Sequence, residues 1–114
     1  MDIKEFYKAV GGDYDEVVAR LQSDALIKKF VLKFAADPSY SQLEEAKKAG
    51  DISEAFRAAH TIKGVAATLG FTKLAAVASA LTEELRPLKS FPSQEYFIAV
   101  DEAYGEVIAA INKL

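Results

Sequence analysis

The chain contains no cysteine, so disulfides and thiolate metal sites are excluded outright, while the redox compartment stays undecided. It has no excess of cations. Lys and Arg number 14 against 17 Asp and Glu, and a formal net charge of −3 argues against broad nucleic-acid binding. No run approaches the roughly 20 apolar residues of a membrane span. The N-terminal M-D-I-K-E-F-Y-K is charged throughout and lacks the apolar centre of a signal peptide. These absences predict a soluble cytoplasmic protein. There is also no Gly-rich nucleotide loop, no alternating strand pattern, no internal repeat and no low-complexity segment. Acidic residues are scattered rather than gathered into a Mg²⁺ site, and histidine occurs once, at position 60.

What is present is helical. With 114 residues and 51% hydrophobic content, residues 1–114 suffice for a single domain that buries a core without staples. Ile3 to Val10 predicts a short helix stopped by Gly11-Gly12, and Asp13 offers an N-cap for a second carrying Val17, Val18 and Leu21. Ser23 restarts the pattern for a helix over 24–36, with Leu26, Ile27, Phe30, Val31 and Phe34 expected on its inner face. Pro38 suits the first turn of the next helix, which turns Leu43 and Ala46 inward and closes at Gly50. Thr72 is expected to cap a helix carrying Leu74, Val77, Ala78, Leu81 and Leu85, which Pro87 ends. After a linker over 88–92, Ser93 caps a last helix whose seam is Phe97, Val100, Tyr104, Val107, Ile111 and Leu114. Short turns make successive helices antiparallel neighbours. The expected architecture is an all-α, up-down antiparallel four-helix bundle with additional short N-terminal helical segments.

The most informative stretch is Asp51 to Gly70. Asp51 and Glu54 form a capping-box pattern, and Gly70 stands where a left-handed C-cap residue belongs. Ile52, Ala55, Ala59, Ile62, Ala66 and Leu69 define a buried stripe, from whose centre His60 points roughly 130° away. Lys63 and Gly64 are its neighbours one turn along, Phe56 and Arg57 flank it on the preceding turn, and Ala67 lies two turns on. The imidazole is therefore expected to face outward beside a cation and a patch of little bulk. On spacing alone it reads either as a solvated surface histidine or as a working nucleophile. A glycine at 64 costs a helix interior about 0.5–1 kcal/mol relative to alanine. Either a bare surface kept for a bulky group or a partner, or close packing of another helix, would offset that cost.

Residues 58–70, A-A-H-T-I-K-G-V-A-A-T-L-G, resemble the signature H-x-[LI]-K-G-x-x-x-x-[LF]-G of histidine-containing phosphotransfer (HPt) domains. His60, Ile62, Lys63, Gly64, Leu69 and Gly70 match it. The upstream F-A-A-D-P-S-Y-S-Q-L-E-E-A-K-K-A-G-D and downstream F-T-K-L-A-A-V-A-S-A-L are similar to the family's flanking helices, so the resemblance covers residues 24–90. It implies four main helices near 39–49, 52–69, 72–86 and 94–113, with the 24–36 helix as an alternative member. It also implies that His60 takes a phosphoryl group from a receiver-domain aspartate, or passes one to it, in a multistep phosphorelay. The partners implied are response-regulator receivers or a hybrid sensor histidine kinase. Mg²⁺ would belong to the receiver, and this chain would need no cofactor of its own.

Imidazole is a good nucleophile toward phosphorus, and its phosphoramidate is a reactive donor. Lys63 could neutralise the transferred group and Gly64 give it steric access. Without an ATP site the chain is expected to be a phosphocarrier, not an enzyme in its own right, and a monomer. Phe56, Arg57, Ala67, Lys28 and Lys29 are expected in the partner footprint.

Related chemotaxis-kinase domains carry an orienting glutamate 22 residues after the histidine. Here that position is Thr82, with Glu83 and Glu84 rotated off by about 100° and 200°, which weakens that subtype. A non-catalytic interaction module is the main alternative. A di-iron carboxylate bundle would want Glu-x-x-His pairs, and here Arg57 stands three residues before His60.

Overall fold

A computed structural model describes residues 1–114, and every regular element is a helix. In chain order these are α1 (Ile3–Ala9), α2 (Tyr14–Leu21), α3 (Asp24–Phe34), α4 (Ser39–Ala49), α5 (Ile52–Thr68), α6 (Thr72–Leu85) and α7 (Gln94–Ile111). Their ends fall within one or two residues of the predicted bounds.

Most of the end signals act as the sequence predicts. Asp13, Ser23 and Asp51 accept hydrogen bonds from the backbone N–H groups of Glu16, Leu26 and Glu54, satisfying donors that each first turn leaves free. At Asp51 only this half of the capping box forms, and the Glu54 carboxylate lies 3.5 Å from Arg57 instead. A complete box does form at Asp2 and Glu5, which starts α1. Thr72 is not the cap of α6. It is the first helical residue, and Phe71 holds the cap position without a side-chain bond.

The C-terminus of α5 is a full Schellman turn. Gly70 takes φ +71°, its N–H donates to Ala67, and the N–H of Phe71 donates to Ala66 at 2.8 Å. A side chain at Gly70 would be strained at that φ and would run into Val17.

Successive long helices pack in chain order: α4 on α5, α5 on α6, and α6 on α7. The buried face of α5 is made of small residues, Ala55, Ala58, Ala59 and Ala66 with Ile62, so its neighbours approach closely. Bulk comes from Leu74, Leu81 and Leu85 of α6 and from Phe97, Val100 and Val107 of α7. Each such side chain, fully buried, contributes about 1.5–3 kcal/mol. Contact also runs from α7 back to α4, where Tyr40 donates to Asp101 at 2.7 Å and its ring lies 3.9 Å from that of Tyr104.

The first 13 residues clasp the α5–α6 turn. Buried Tyr7 donates its hydroxyl to the Leu69 carbonyl at 2.6 Å, the Asp13 N–H donates to Gly70, and the Lys73 N–H donates to Gly11. The backbones come so near that a Cβ on Gly12 would lie 2.7 Å from the Gly70 oxygen. Around this clasp, Phe6, Tyr7, Phe34 and Phe71 pack edge to face, an arrangement worth about 0.5–1.5 kcal/mol per pair beyond its buried area.

Helix α3 departs from expectation. Ile27, Val31 and Phe34 are buried as predicted, but Leu26 and Phe30 remain 38% and 37% exposed. Helix α3 packs on α1 and α2 and reaches the long helices through Phe34, whose ring meets Phe71 and Tyr104. Only one of its two apolar stripes is therefore covered, and the other is left beside α5.

Candidate functional site

Because the alanine-rich face of α5 is buried, its opposite face exposes Arg57, His60, Thr61, Gly64 and Ala67. Lys63 is half-buried and has no carboxylate within ion-pair distance. The four ion pairs of the protein are Arg20–Glu16, Arg57–Glu54, Lys73–Glu106 and Arg86–Glu83. One turn from His60 there is thus a cation that takes part in no ion pair.

Gly64 faces open space: a Cβ built there would meet no atom within 4 Å. Close packing of another helix, one of the two reasons the sequence allowed for this glycine, is ruled out. Beside it lies a groove of about 480 Å³ between α3 and α5. Its α5 wall is His60, Thr61, Gly64, Val65, Thr68 and Leu69; the opposite wall is Phe30, Lys33, Phe34 and Asp37. The two threonine hydroxyls do not face it as free donors. Thr61 donates to the Arg57 carbonyl at 3.0 Å and Thr68 to the Gly64 carbonyl at 2.9 Å. The groove surface is therefore largely apolar, and its other polar side chains are His60, Lys33 and Asp37. Lys33 Nζ rests 5.8 Å from the Phe30 ring centroid.

On the other flank, the half-buried Phe56 ring lies nearly parallel to the His60 imidazole, planes 13° apart and centroids 6.0 Å apart. The Arg86 guanidinium, just past the end of α6, sits 5.3 Å from the same phenyl centroid. Arg86 is itself held by Glu83, with Nη2 2.7 Å from Oε2 and Nε 3.1 Å from both carboxylate oxygens. That hydrogen bonding holds the Glu83 carboxyl below its ordinary range, and the charges of Lys63 and His60 add to the effect. The same bond raises Arg86. Thr82, at the position of the chemotaxis-type glutamate, is fully buried and donates to Ala78 at 2.7 Å, so it takes no part.

The predicted rim is only partly assembled. Arg57 and Ala67 are exposed on the His60 face, and Phe56 adjoins the imidazole. Lys29 is exposed one turn before Lys33 on α3. Lys28 lies apart from this face. It lines a separate depression with Met1, Asp2, Asp24 and Leu114, because it projects about 200° around α3 from Phe30. Phe30, Val65, Thr68, Glu83 and Arg86 escaped sequence reasoning as site residues. The i,i+3 pairing of Glu83 with Arg86 was visible in the sequence, but its approach to Phe56 is tertiary. No group of three or more His, Asp or Glu side chains comes together as a metal-holding cluster.

A family model described as Hpt domain matches residues 32–110, from the last turn of α3 to within one residue of the end of α7. No curated protein and no solved structure gives a match.

Proposed function

The chain belongs to the Hpt domain family, phosphocarrier modules of two-component signalling, and from that premise we propose that His60 is its phosphoryl carrier. It accepts the group from a receiver-domain aspartate and donates it to another in a phosphorelay. The observation that carries this reading is the exposed imidazole at the rim of an open groove, with unpaired Lys63 and bare Gly64 one turn along.

In the accepting step an imidazole nitrogen attacks the aspartyl phosphate in line. The N–P bond forms as the P–O bond breaks, the aspartate leaves as carboxylate, and the proton on the second ring nitrogen passes to water. Transfer of this kind needs positioning and neutralisation of the equatorial oxygens more than covalent assistance. Lys63 supplies the charge and Gly64 the clearance. Mg²⁺ would be held by the receiver, and the reading requires no cofactor on this chain.

Residues 1–114 are read as one domain. Helices α4 to α7 form its up-down antiparallel four-helix bundle, and α1, α2 and α3 are the N-terminal addition, which is supported by chain-order packing and by the Tyr40–Asp101 bond. The partner surface is the groove with Ala67, Arg57 and Lys29 at its rim. A monomer meeting its partners in the cytoplasm suits a carrier.

The test is incubation with a phosphorylated receiver domain and Mg²⁺. The protein should gain one acid-labile, base-stable phosphohistidine, and His60→Gln should gain none while keeping its fold to within about 0.5 kcal/mol. Label on the His60→Gln variant, or none on the wild type, would refute the proposal. A wild type that binds the receiver without being labelled would instead be an interaction module.

A further inference from the structure

An exposed imidazole has two free torsions, and in-line attack uses only a narrow range of them. Hydrogen bonding does not select that range here. The hydroxyls and the carboxylate near His60 are engaged elsewhere: Thr82 with Ala78, Thr61 with Arg57, and both Glu83 oxygens with Arg86. What the imidazole does have is the parallel Phe56 ring. That ring is in turn approached by a guanidinium which Glu83 fixes in two directions.

We propose that Phe56 and Arg86 are positioning residues: Arg86, anchored by Glu83 at the end of α6, braces the Phe56 ring, and the ring holds the His60 imidazole in its attacking orientation. The inference rests on His60 being the phosphoryl acceptor. Three features favour a brace over ordinary surface packing. Phe56 and His60 are four residues apart on α5, so their side chains lie side by side without backbone adjustment. Phe56 is half-buried, which removes most of its own freedom. Arg86 comes from another helix, so the stack ties the nucleophile to α6 and does not merely follow the motion of α5. The stack takes the place of the acid that Thr82 does not supply, orienting the ring by its face and leaving its nitrogens free. A brace of this kind acts on the rate of transfer within the complex, not on the affinity of the complex.

The experiment compares Phe56→Leu, Arg86→Ala and Arg86→Lys with wild type in single-turnover transfer from a phosphorylated receiver domain, over a range of receiver concentrations. NMR of the His60 ring resonances is recorded on the unphosphorylated proteins. Phe56→Leu and Arg86→Ala should lower the saturating rate constant about two- to tenfold, with the half-saturating receiver concentration unchanged. Both should displace the His60 ring resonances. Arg86→Lys keeps a cation above the ring and should recover most of the rate. Should Phe56→Leu act on the half-saturating concentration alone, Phe56 is a docking residue and the proposal fails. It fails equally if Arg86→Ala leaves the His60 resonances unmoved, whether transfer is normal or slow, since slow transfer would then mark a direct phosphate contact. Arg86 is exposed, so its variants report even if Phe56→Leu folds poorly. The NMR arm needs no phosphoryl donor, so it judges the stack independently of whether His60 is labelled at all.

Discussion

Gly64 allows stability and transfer to be driven in opposite directions by one methyl group. It sits in the fourth turn of α5, exposed, with no atom within 4 Å of an added Cβ. Gly64→Ala should therefore meet no clash in the free protein. It removes the backbone entropy that glycine forfeits in a helix, a gain of about 0.5–1 kcal/mol. For a chain of this length that raises Tm by about 2–6 °C. The same methyl projects about 1.5 Å from the backbone into the space through which, on the proposed function, the phosphoryl group approaches His60. A misplacement of about 1 Å in a reacting pair can cost on the order of a hundredfold. Gly64→Ala should slow transfer by about tenfold. Gly64→Val, with two further carbons, should slow it by about a hundredfold or more while its stability stays within about 0.5 kcal/mol of wild type. Calorimetry or thermal CD gives the first quantity, and stopped-flow transfer from a phosphorylated receiver gives the second. A Gly64→Ala protein that melts below wild type would mean the space is not empty. A Gly64→Val protein that transfers within twofold of wild type would mean the space is not used.

Lys63→Ala should slow transfer with stability kept within about 0.5 kcal/mol, because Lys63 has no ion-pair partner to lose; paired kinetics and thermal melts check both parts. Tyr7→Phe should cost about 1–3 kcal/mol by stranding the buried Leu69 carbonyl, measured by urea unfolding, and should leave the transfer rate unchanged. NMR shift mapping with a receiver domain should place the largest changes at His60, Gly64, Ala67, Phe30 and Lys33. Changes confined to Phe97 to Leu114 would refute the proposed footprint.

The helices and the outward placement of His60 were legible in the sequence because they depend on signals within a few residues. Asp51 and Gly70 bound α5, and the alanine-isoleucine stripe fixes which side His60 faces. What escaped depends on contacts between helices. Five apolar residues of α3 read as one inner face, yet only Ile27, Val31 and Phe34 are covered. The inner end of α3 is anchored by Phe34 meeting Phe71 and Tyr104, residues 37 and 70 positions away. With α3 so placed, Phe30 and Lys33 line the groove while Lys28 lines another depression. Local spacing gives these lysines no order of importance. Thr72 carries a side chain suited to capping, but the Schellman turn at Gly70 already fixes the entry to α6. Arg86 drew no notice in the sequence, because only the packing of α6 on α5 brings it to Phe56.

The clasp of the first 13 residues on the α5–α6 turn has a kinetic consequence. Contacts between α4 and α5, or α5 and α6, close short loops and form early. The Tyr7–Leu69 bond joins residues 62 apart, and closing a loop of that length costs about 1.6 kcal/mol more than closing one of ten residues. A contact of that span is expected to form late, after the local helix pairs. Interactions absent from the transition state slow unfolding without hastening folding. The N-terminal segment thus acts as a latch. It should lengthen the lifetime of the folded protein, and the Leu69 carbonyl at the end of α5 is the catch on which it closes.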